Sequence, residues 1–279
     1  MDAIIAVTYK CGTACKTCNT WMLNGTMPFD KFTVMWDKLT ASTEITRFVM
    51  NGLGDLNTLP NAIDYLKYME SHRRTQPIVI TTNCKEIPYV PKVDHYICSF
   101  NGGTKEAFEY TTGLPFEKVR DNIRSHYNDF VSKVGCAEIH MCVWSGNKGT
   151  EQAFGELWKD FPGRVRLNYR ATNIPAKWAA SEELPPSKFP QCYCDNLEVI
   201  TIQPNGNVEL CFCGYSTDFT GLKAAPTFGN IFEDSFSSLI NHPDRIKYKA
   251  RQSKGIYDHP CDKCNYNTPI EGRLKYIKG

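Results

Sequence analysis

The feature that most constrains this 279-residue chain is an alternation that fills residues 1–172: short apolar runs take turns with longer amphipathic stretches. The runs are AIIAVTY (3–9), ITRFVM (45–50), PIVITT (77–82), HYICSF (95–100), AEIHMCVW (137–144) and RVRLNYR (164–170). Several are apolar almost throughout, as strands covered on both faces should be. Between them, FDKFTVMWDKLTAS, LPNAIDYLKYMESHRR, PFEKVRDNIRSHYNDFVSK and EQAFGELWKDF repeat apolar residues at intervals of three and four, the period of a helix with one buried face. Pro60 suits a first helical turn, and Gly163 follows a helix end. This order predicts an α/β fold with a parallel sheet, right-handed crossovers and chemistry at the carboxyl ends of the strands.

The periodicity stops at residues 173–190, NIPAKWAASEELPPSKFP, which read as a linker. Residues 191–279 form a second, smaller unit. Within it, LEVITIQPNGNVELCF places Pro204–Asn205–Gly206–Asn207 between two short strands as a hairpin turn, and FEDSFSSLINH predicts a short helix. A net charge of +2 argues against a nucleic-acid coat or a membrane patch. Residues 244–279 carry nine Lys or Arg against four Asp or Glu, a mild bias read as a solvated face. The chain has no apolar run long enough to span a bilayer, and MDAIIAVTYKC enters a strand with no basic segment before it. The expectation is a cytoplasmic protein with no membrane and no nucleic-acid partner.

Thirteen cysteines would suit a secreted disulfide scaffold, but the opening segment argues against secretion. Their distribution says more. Three sit at Cys11, Cys15 and Cys18, and six at Cys192, Cys194, Cys211, Cys213, Cys261 and Cys264. Cys84, Cys98, Cys136 and Cys142 are scattered in strand-like context, where a buried thiol behaves as a small hydrophobe. A structural zinc site wants four ligands and usually pairs two Cys-x-x-Cys units. CGTACKTC offers three thiols on a loop that leaves the first strand, which favours an iron–sulfur cubane with one open iron over zinc.

CGTACKTC also matches the CxxxCxxC signature of the radical S-adenosylmethionine enzymes, and further landmarks follow in order. MNGLGD (50–55) resembles their GGEP-type loop after the second strand. TTN (81–83) and CSFNGGTKEAFEYTTG (98–113) resemble the third and fourth strand edges, and Asn147 follows the fifth strand. The resemblance implies a partial (β/α)6 TIM-like barrel over 1–172, a [4Fe-4S] cluster on Cys11, Cys15 and Cys18, and S-adenosylmethionine on the open iron. It implies cofactor contacts from Gly52, Leu53, Gly54, Asp55, Asn83, Ser99, Asn101 and Asn147. Two positions depart from the pattern. Thr17 stands where an aromatic residue often lies near adenine, with Trp21 as a nearby substitute. Asp55 replaces the usual glutamate and is one methylene shorter.

The second cysteine set resembles the auxiliary-cluster domains known as SPASM or twitch. The matching elements are ITIQPNGNVELC, FGNIFEDSFSSL and Cys261-x-x-Cys264. The resemblance implies one closed auxiliary [4Fe-4S] cluster, of the smaller twitch type, on Cys211, Cys261, Cys264 and Cys194, with Cys192 as the alternative to Cys194. Zinc satisfies the same ligand count, so the iron assignment rests on the resemblance. The implied activity is reductive cleavage of S-adenosylmethionine to a 5′-deoxyadenosyl radical that abstracts hydrogen from a substrate. An electron donor such as flavodoxin or ferredoxin would supply the electron.

Dehydrogenation of a small aminocyclitol- or sugar-like metabolite is the main expectation, because the barrel begins at residue 3 with no leader-binding unit before it. Modification of a ribosomally made peptide, by thioether formation or epimerisation, is the first alternative. Sugar epimerisation with a cysteine hydrogen donor is the second, and a structural zinc protein is a remote third. Candidates for a base or polar clamp are His140, Arg166, Tyr169 and Arg170.

Overall fold

In the computed structural model the described residues are 1–18, 20, 23–50, 53–169, 198–209, 226–256 and 274–278. Six parallel strands follow one another in space as they do in sequence: β1 (Asp2–Ile5), β2 (Arg47–Met50), β3 (Ile78–Thr82), β4 (Val93–Ser99), β5 (Val134–Val143) and β6 (Arg164–Tyr169). Helices α1 (Phe29–Thr40), α2 (Ala62–Ser71), α3 (Lys105–Thr112), α4 (Phe116–Ser125), α5 (Tyr127–Lys133) and α6 (Glu151–Leu157) occupy the crossovers. A strand order that never reverses is the winding of a partial (β/α) barrel, with the crossover helices on one side of the sheet. All six strands lie within or close to the expected runs. The stretch PFEKVRDNIRSHYNDFVSK, expected as one helix, divides at His126 into α4 and α5, because the chain passes straight from Lys133 into β5 and needs a bend first.

The pleat sorts side chains onto two unlike faces. On the helix side, Ala3, Ile5, Phe48, Met50, Ile78, Ile80, Tyr96, Cys98, Ile139, Met141, Val165 and Leu167 are at most 2% exposed. Two aromatic groups fill the gap beneath the helices. Phe32 stacks on Trp36, which leans on Phe48 at 4.6 Å. Phe100 stacks on Phe108 at 4.1 Å and meets Phe116 and Trp158 edge-on at 5.3 and 5.0 Å. The opposite face carries Ile4, Val49, Val79 and Ile97 over the first four strands and turns polar over the last three. The registers of β4, β5 and β6 place His95, Ser99, Glu138, His140, Cys142, Arg166 and Asn168 together there.

The carboxy-terminal segments join the same sheet. β7 (Val199–Ile202) runs parallel to β1, and β8 (Asn207–Glu209) returns antiparallel to β7 through the expected turn, with Gly206 at φ +88°. β9 (Thr227–Asn230) pairs with β8. β10 (Leu274–Lys278) pairs antiparallel with β6 at the other edge. The hairpin is locked to β1 by Ala6 N–H donating to Ile202 O (2.9 Å) and by Tyr9 Oη donating to Gln203 Oε1 (2.7 Å). The expected short helix spans Phe236–Ile240, and a further helix spans Pro243–Gln252. The 173–190 linker lies outside the described residues.

Phe100→Ala removes the centre of the second aromatic group and should lower the free energy of unfolding by about 3–5 kcal/mol. Val34→Ala, at a side chain 54% exposed, should change it by less than about 0.5 kcal/mol. Denaturant unfolding reads both.

Candidate functional site

The cysteine triplet sits on an excursion between β1 and α1 whose base is stapled shut. Met27 N–H donates to Val7 O (2.7 Å), Tyr9 N–H donates to Gly25 O (2.9 Å), and the hydroxyls of Thr8 and Thr26 meet at 2.8 Å. From this base the loop is strung across the carboxyl ends of the next strands. Its consecutive carbonyls accept in turn: Lys10 O from Asp55 N–H (2.8 Å), Cys11 O from Asn83 Nδ2 (2.9 Å) and Gly12 O from Lys85 Nζ (3.0 Å). Farther along, Thr13 Oγ1 donates to Thr112 O, and Lys16 N–H donates to Thr111 O (2.9 Å) at the end of α3. The sequence thus places the thiols at the carboxyl edge of the sheet, where a parallel fold builds its active site.

Asp55 holds this arrangement. Its carboxylate is 1% exposed and accepts from Asn57 N–H (3.1 Å), Thr82 Oγ1 (2.8 Å) and Asn83 N–H (2.8 Å). Burial raises its pKa to about 6, and the three hydrogen bonds offset that only in part. Gly54 lies at φ +64°, and a Cβ there would fall 2.0 Å from Thr8 O. Only glycine lets the loop after β2 approach the exit of β1 so closely. Leu53 is buried beside it, and Gly52 lies outside the described residues.

The thiols are partly to fully accessible: Cys11 and Cys15 are half-buried and Cys18 is exposed. Asn83 Nδ2 reaches Cys11 Sγ at 3.3 Å, and Thr20 N–H reaches Cys18 Sγ at 3.4 Å. Burial first, and then the charges of Asp55, Cys15 and Cys18, push the Cys11 thiol well above its ordinary pKa, while Asn83 opposes them. Three sulfurs within electrostatic reach of one another, with N–H donors aimed at two of them, suit a cationic centre that takes up their charge. Among the described residues no three His, Cys, Asp or Glu side chains converge where they could hold one metal ion. A polynuclear cluster does not require that, because each thiolate binds a different iron. The donor set therefore fits an iron–sulfur cluster.

The other expected cofactor contacts have their own partners. Asn147, 1% exposed, donates from Nδ2 to Cys142 O (2.8 Å) and Asn101 O (3.2 Å) and accepts Trp144 N–H at Oδ1 (2.9 Å). Asn101 Oδ1 accepts Cys142 N–H (2.9 Å). These two amides splice the ends of β4 and β5 to each other. Ser99 Oγ lies 3.1 Å from His140 Nε2. Thr17, in place of an aromatic residue, is buried, and Trp21 lies outside the described residues. The auxiliary set of Cys192, Cys194, Cys211, Cys213, Cys261 and Cys264 also lies outside them, as does Arg170. Tyr169 pairs with Val143 in register, on the helix side of the sheet, away from His140 and Arg166. Sequence reasoning missed Glu138 and His95 on the polar face, although Glu138, His140 and Cys142 follow the strand period of two.

Residues 192–265 match the SPASM family, an iron-sulfur cluster-binding domain. No curated protein sequence matches the chain. Among solved structures, anSMEcpe with bound AdoMet and Cp18Cys peptide superposes with a TM-score of 0.62 at 14% identity, over 95% of this chain and 86% of that one. SuiB of Streptococcus suis, bound to the precursor peptide SuiA, superposes with a TM-score of 0.59 at 11% identity, over 96% of this chain and 66% of that one. BtrN in complex with AdoMet and 2-DOIA gives 0.53 at 12% identity, over 91% and 87%. The chain thus spans about two thirds of SuiB. These likenesses establish the fold. The carboxy-terminal match gives residues 192–265 a SPASM-type iron–sulfur cluster-binding assignment, and the CxxxCxxC loop lies at the opposite end of the sequence, at the carboxyl edge of the sheet. No helix among the described residues is long and apolar enough to cross a membrane.

Asp55→Ala strands two backbone N–H groups and the Thr82 hydroxyl and should cost about 1–3 kcal/mol at pH 8. Because the folded pKa of Asp55 is raised, its stabilising contribution is full below the unfolded value and lost as pH rises through about 6. The penalty of the substitution should therefore be larger at pH 4.5 than at pH 8, which paired denaturation curves at the two pH values measure.

Proposed function

We propose that this chain binds S-adenosylmethionine at the Cys11–Cys15–Cys18 loop and abstracts hydrogen from a substrate held over the polar face of the sheet. The observation that carries this is the loop itself: three thiols at the carboxyl edge, fixed by Asn83 and Asp55 beside a face lined with polar side chains. Cys11, Cys15 and Cys18 would hold a [4Fe-4S] cluster, and Cys211, Cys261, Cys264 and Cys194 or Cys192 an auxiliary one of the twitch type. When bound there with one iron open, such a cluster would supply the electron for cleaving S-adenosylmethionine to methionine and a 5′-deoxyadenosyl radical. The chain's own residues set the geometry. Gly54 brings the β2 loop against the β1 exit, Asn83 orients Cys11, and Asn101 and Asn147 hold the rim of β4 and β5 rigid. An acidic electron-transfer protein such as flavodoxin or ferredoxin would donate the electron.

Peptide modification is the favoured substrate reading. The structures named with a bound peptide, anSMEcpe and SuiB, superpose at TM-scores of 0.62 and 0.59, against 0.53 for BtrN with 2-DOIA. This reverses the initial preference for a small metabolite, which becomes the second reading. Cys142 adds an observation of its own. Its register places it on the polar face at the end of β5, 4.0 Å from His140 Nε2. A thiol there would return a hydrogen atom to a substrate radical in an epimerisation.

Anaerobically reconstituted protein should carry about eight irons and eight sulfides and form 5′-deoxyadenosine with dithionite and S-adenosylmethionine. Replacing Cys11, Cys15 and Cys18 together by Ala should leave about four irons and no 5′-deoxyadenosine. Bound zinc with no cleavage would sink the proposal. A peptide encoded beside the gene, when treated with the enzyme, should emerge two hydrogens lighter if dehydrogenated or carrying one solvent deuterium if epimerised. An untouched peptide would return the preference to a small metabolite.

A further inference from the structure

The sheet ends at β10 in an open edge. Among the described residues no strand pairs with its far side, so the backbone N–H and C=O groups that point away from β6 have no ladder partner. Natural edges are commonly guarded by outward lysines. Here Lys278 is drawn back instead: its Nζ donates to Lys159 O (3.0 Å) and Phe161 O (2.6 Å), in the loop between α6 and β6. The bulge between Tyr276 and Lys278 twists only the end of the strand. Tyr276 and Ile277 are left 49% and 41% exposed. With Arg164 and Lys278 they line a groove of about 500 Å³. The edge is also cationic. The guanidinium carbon of Arg164 lies 5.9 Å from the centre of the Tyr276 ring, which brings its charge over the edge strand. Lys275 is exposed on the opposite side of β10. Neither Arg164 nor Lys275 has a carboxylate within ion-pair distance among the described residues.

We propose that the free edge of β10 binds an extended acidic segment of the peptide substrate as an added strand. This deepens the peptide reading of the function, on which it rests. Strand addition draws affinity from backbone hydrogen bonds and selectivity from alternate side chains. Both are offered here. The unpaired side of β10 supplies the hydrogen bonds, and the exposed rings and chains of Tyr276 and Ile277 supply apolar surface for a neighbouring strand to cover. Arg164 and Lys275, on opposite faces of the edge, favour carboxylates from whatever lies beside them. Tyr276 also pairs in register with Arg166. A segment held at this edge is therefore continuous with the open face over which the substrate is placed. A second copy of the chain is the other strand that could fill the position. Two β10 strands side by side would bring two cationic edges together, and like charges across a strand pair are destabilising.

The test is fluorescence anisotropy of the reconstituted full chain with fluorescein-labelled Thr-Glu-Val-Glu-Val-Glu amide, followed by hydrogen–deuterium exchange on the saturated complex. Saturable binding is expected, with the amides of residues 274–278 gaining protection and those of β3 unchanged. The basic counterpart, Thr-Lys-Val-Lys-Val-Lys amide, should bind about tenfold or more weakly. Of two acidic peptides N-methylated at alternate positions, only the one that blocks the nitrogens facing β10 should lose about tenfold. The double variant Arg164→Gln, Lys275→Gln, at two exposed positions, should weaken the acidic peptide about tenfold with its circular dichroism unchanged. No binding, equal binding of the acidic and basic peptides, or equal binding of the two methylated forms overturns the site. Protection of 274–278 that needs no peptide and grows with protein concentration gives the edge to a second copy, and also overturns it. Protein that forms 5′-deoxyadenosine but binds no peptide contradicts the β10 site alone. Protein that binds the peptide but cleaves no S-adenosylmethionine would instead refute the function proposed above.

Discussion

The buried carboxylate of Asp55 is the interaction on which the site depends. It gathers the first turn after β2 and the end of β3 into one knot, through Asn57, Thr82 and Asn83. Its own backbone N–H reaches Lys10 just before the first cysteine. Asn83, fixed by that knot, then takes both the carbonyl and the sulfur of Cys11. Cys84 follows in the left-handed region at φ 58°, strain for a residue that is not glycine. Asn122 holds the carbonyls of Cys84 and Lys85, which keeps this turn in place. A loop with three thiols and no regular structure thereby acquires a fixed position.

The second constraint is the pleat. A period of two assigns every other strand residue to the helix-covered core and the remainder to the open face, and this chain uses the two faces for opposite purposes. The helix side carries aromatic and aliphatic packing. The other side carries Ser99, Glu138, His140, Cys142, Arg166 and Asn168 in register. The cysteine loop leaves β1 at the carboxyl edge of the same sheet. The expected auxiliary ligands belong to the stretch matched by the cluster-binding family, and the hairpin in that stretch pairs directly with β1. The second unit is therefore continuous with the sheet that carries the first.

Much of this was legible in the sequence, because apolar runs and the hairpin turn at Pro204–Gly206 are local signals. The CxxxCxxC loop was equally plain, since three thiols among small polar residues have no packing role. Helix α3 was less visible: KEAFEYTT mixes β-branched, aromatic and charged residues, although Thr104 caps its start and Gly113 closes it at φ +70°. The roles of Asn101 and Asn147 were not legible either, because a saturated amide and an open one look alike in sequence. The group around Glu138 needed three strands in register, and only the fold supplies that. The separation of Tyr169 from Arg166 follows from the pleat alone and could have been read from RVRLNYR.

The central claim is that the loop at Cys11, Cys15 and Cys18 leaves one iron open for S-adenosylmethionine. Electron paramagnetic resonance of the dithionite-reduced, reconstituted protein, recorded before and after adding S-adenosylmethionine, tests it most directly. One cluster signal should shift on addition, and that signal should be missing when the three cysteines are replaced by Ala, while the auxiliary signal persists. No shift in the wild-type protein, or a shift that survives in the triple variant, would contradict the account.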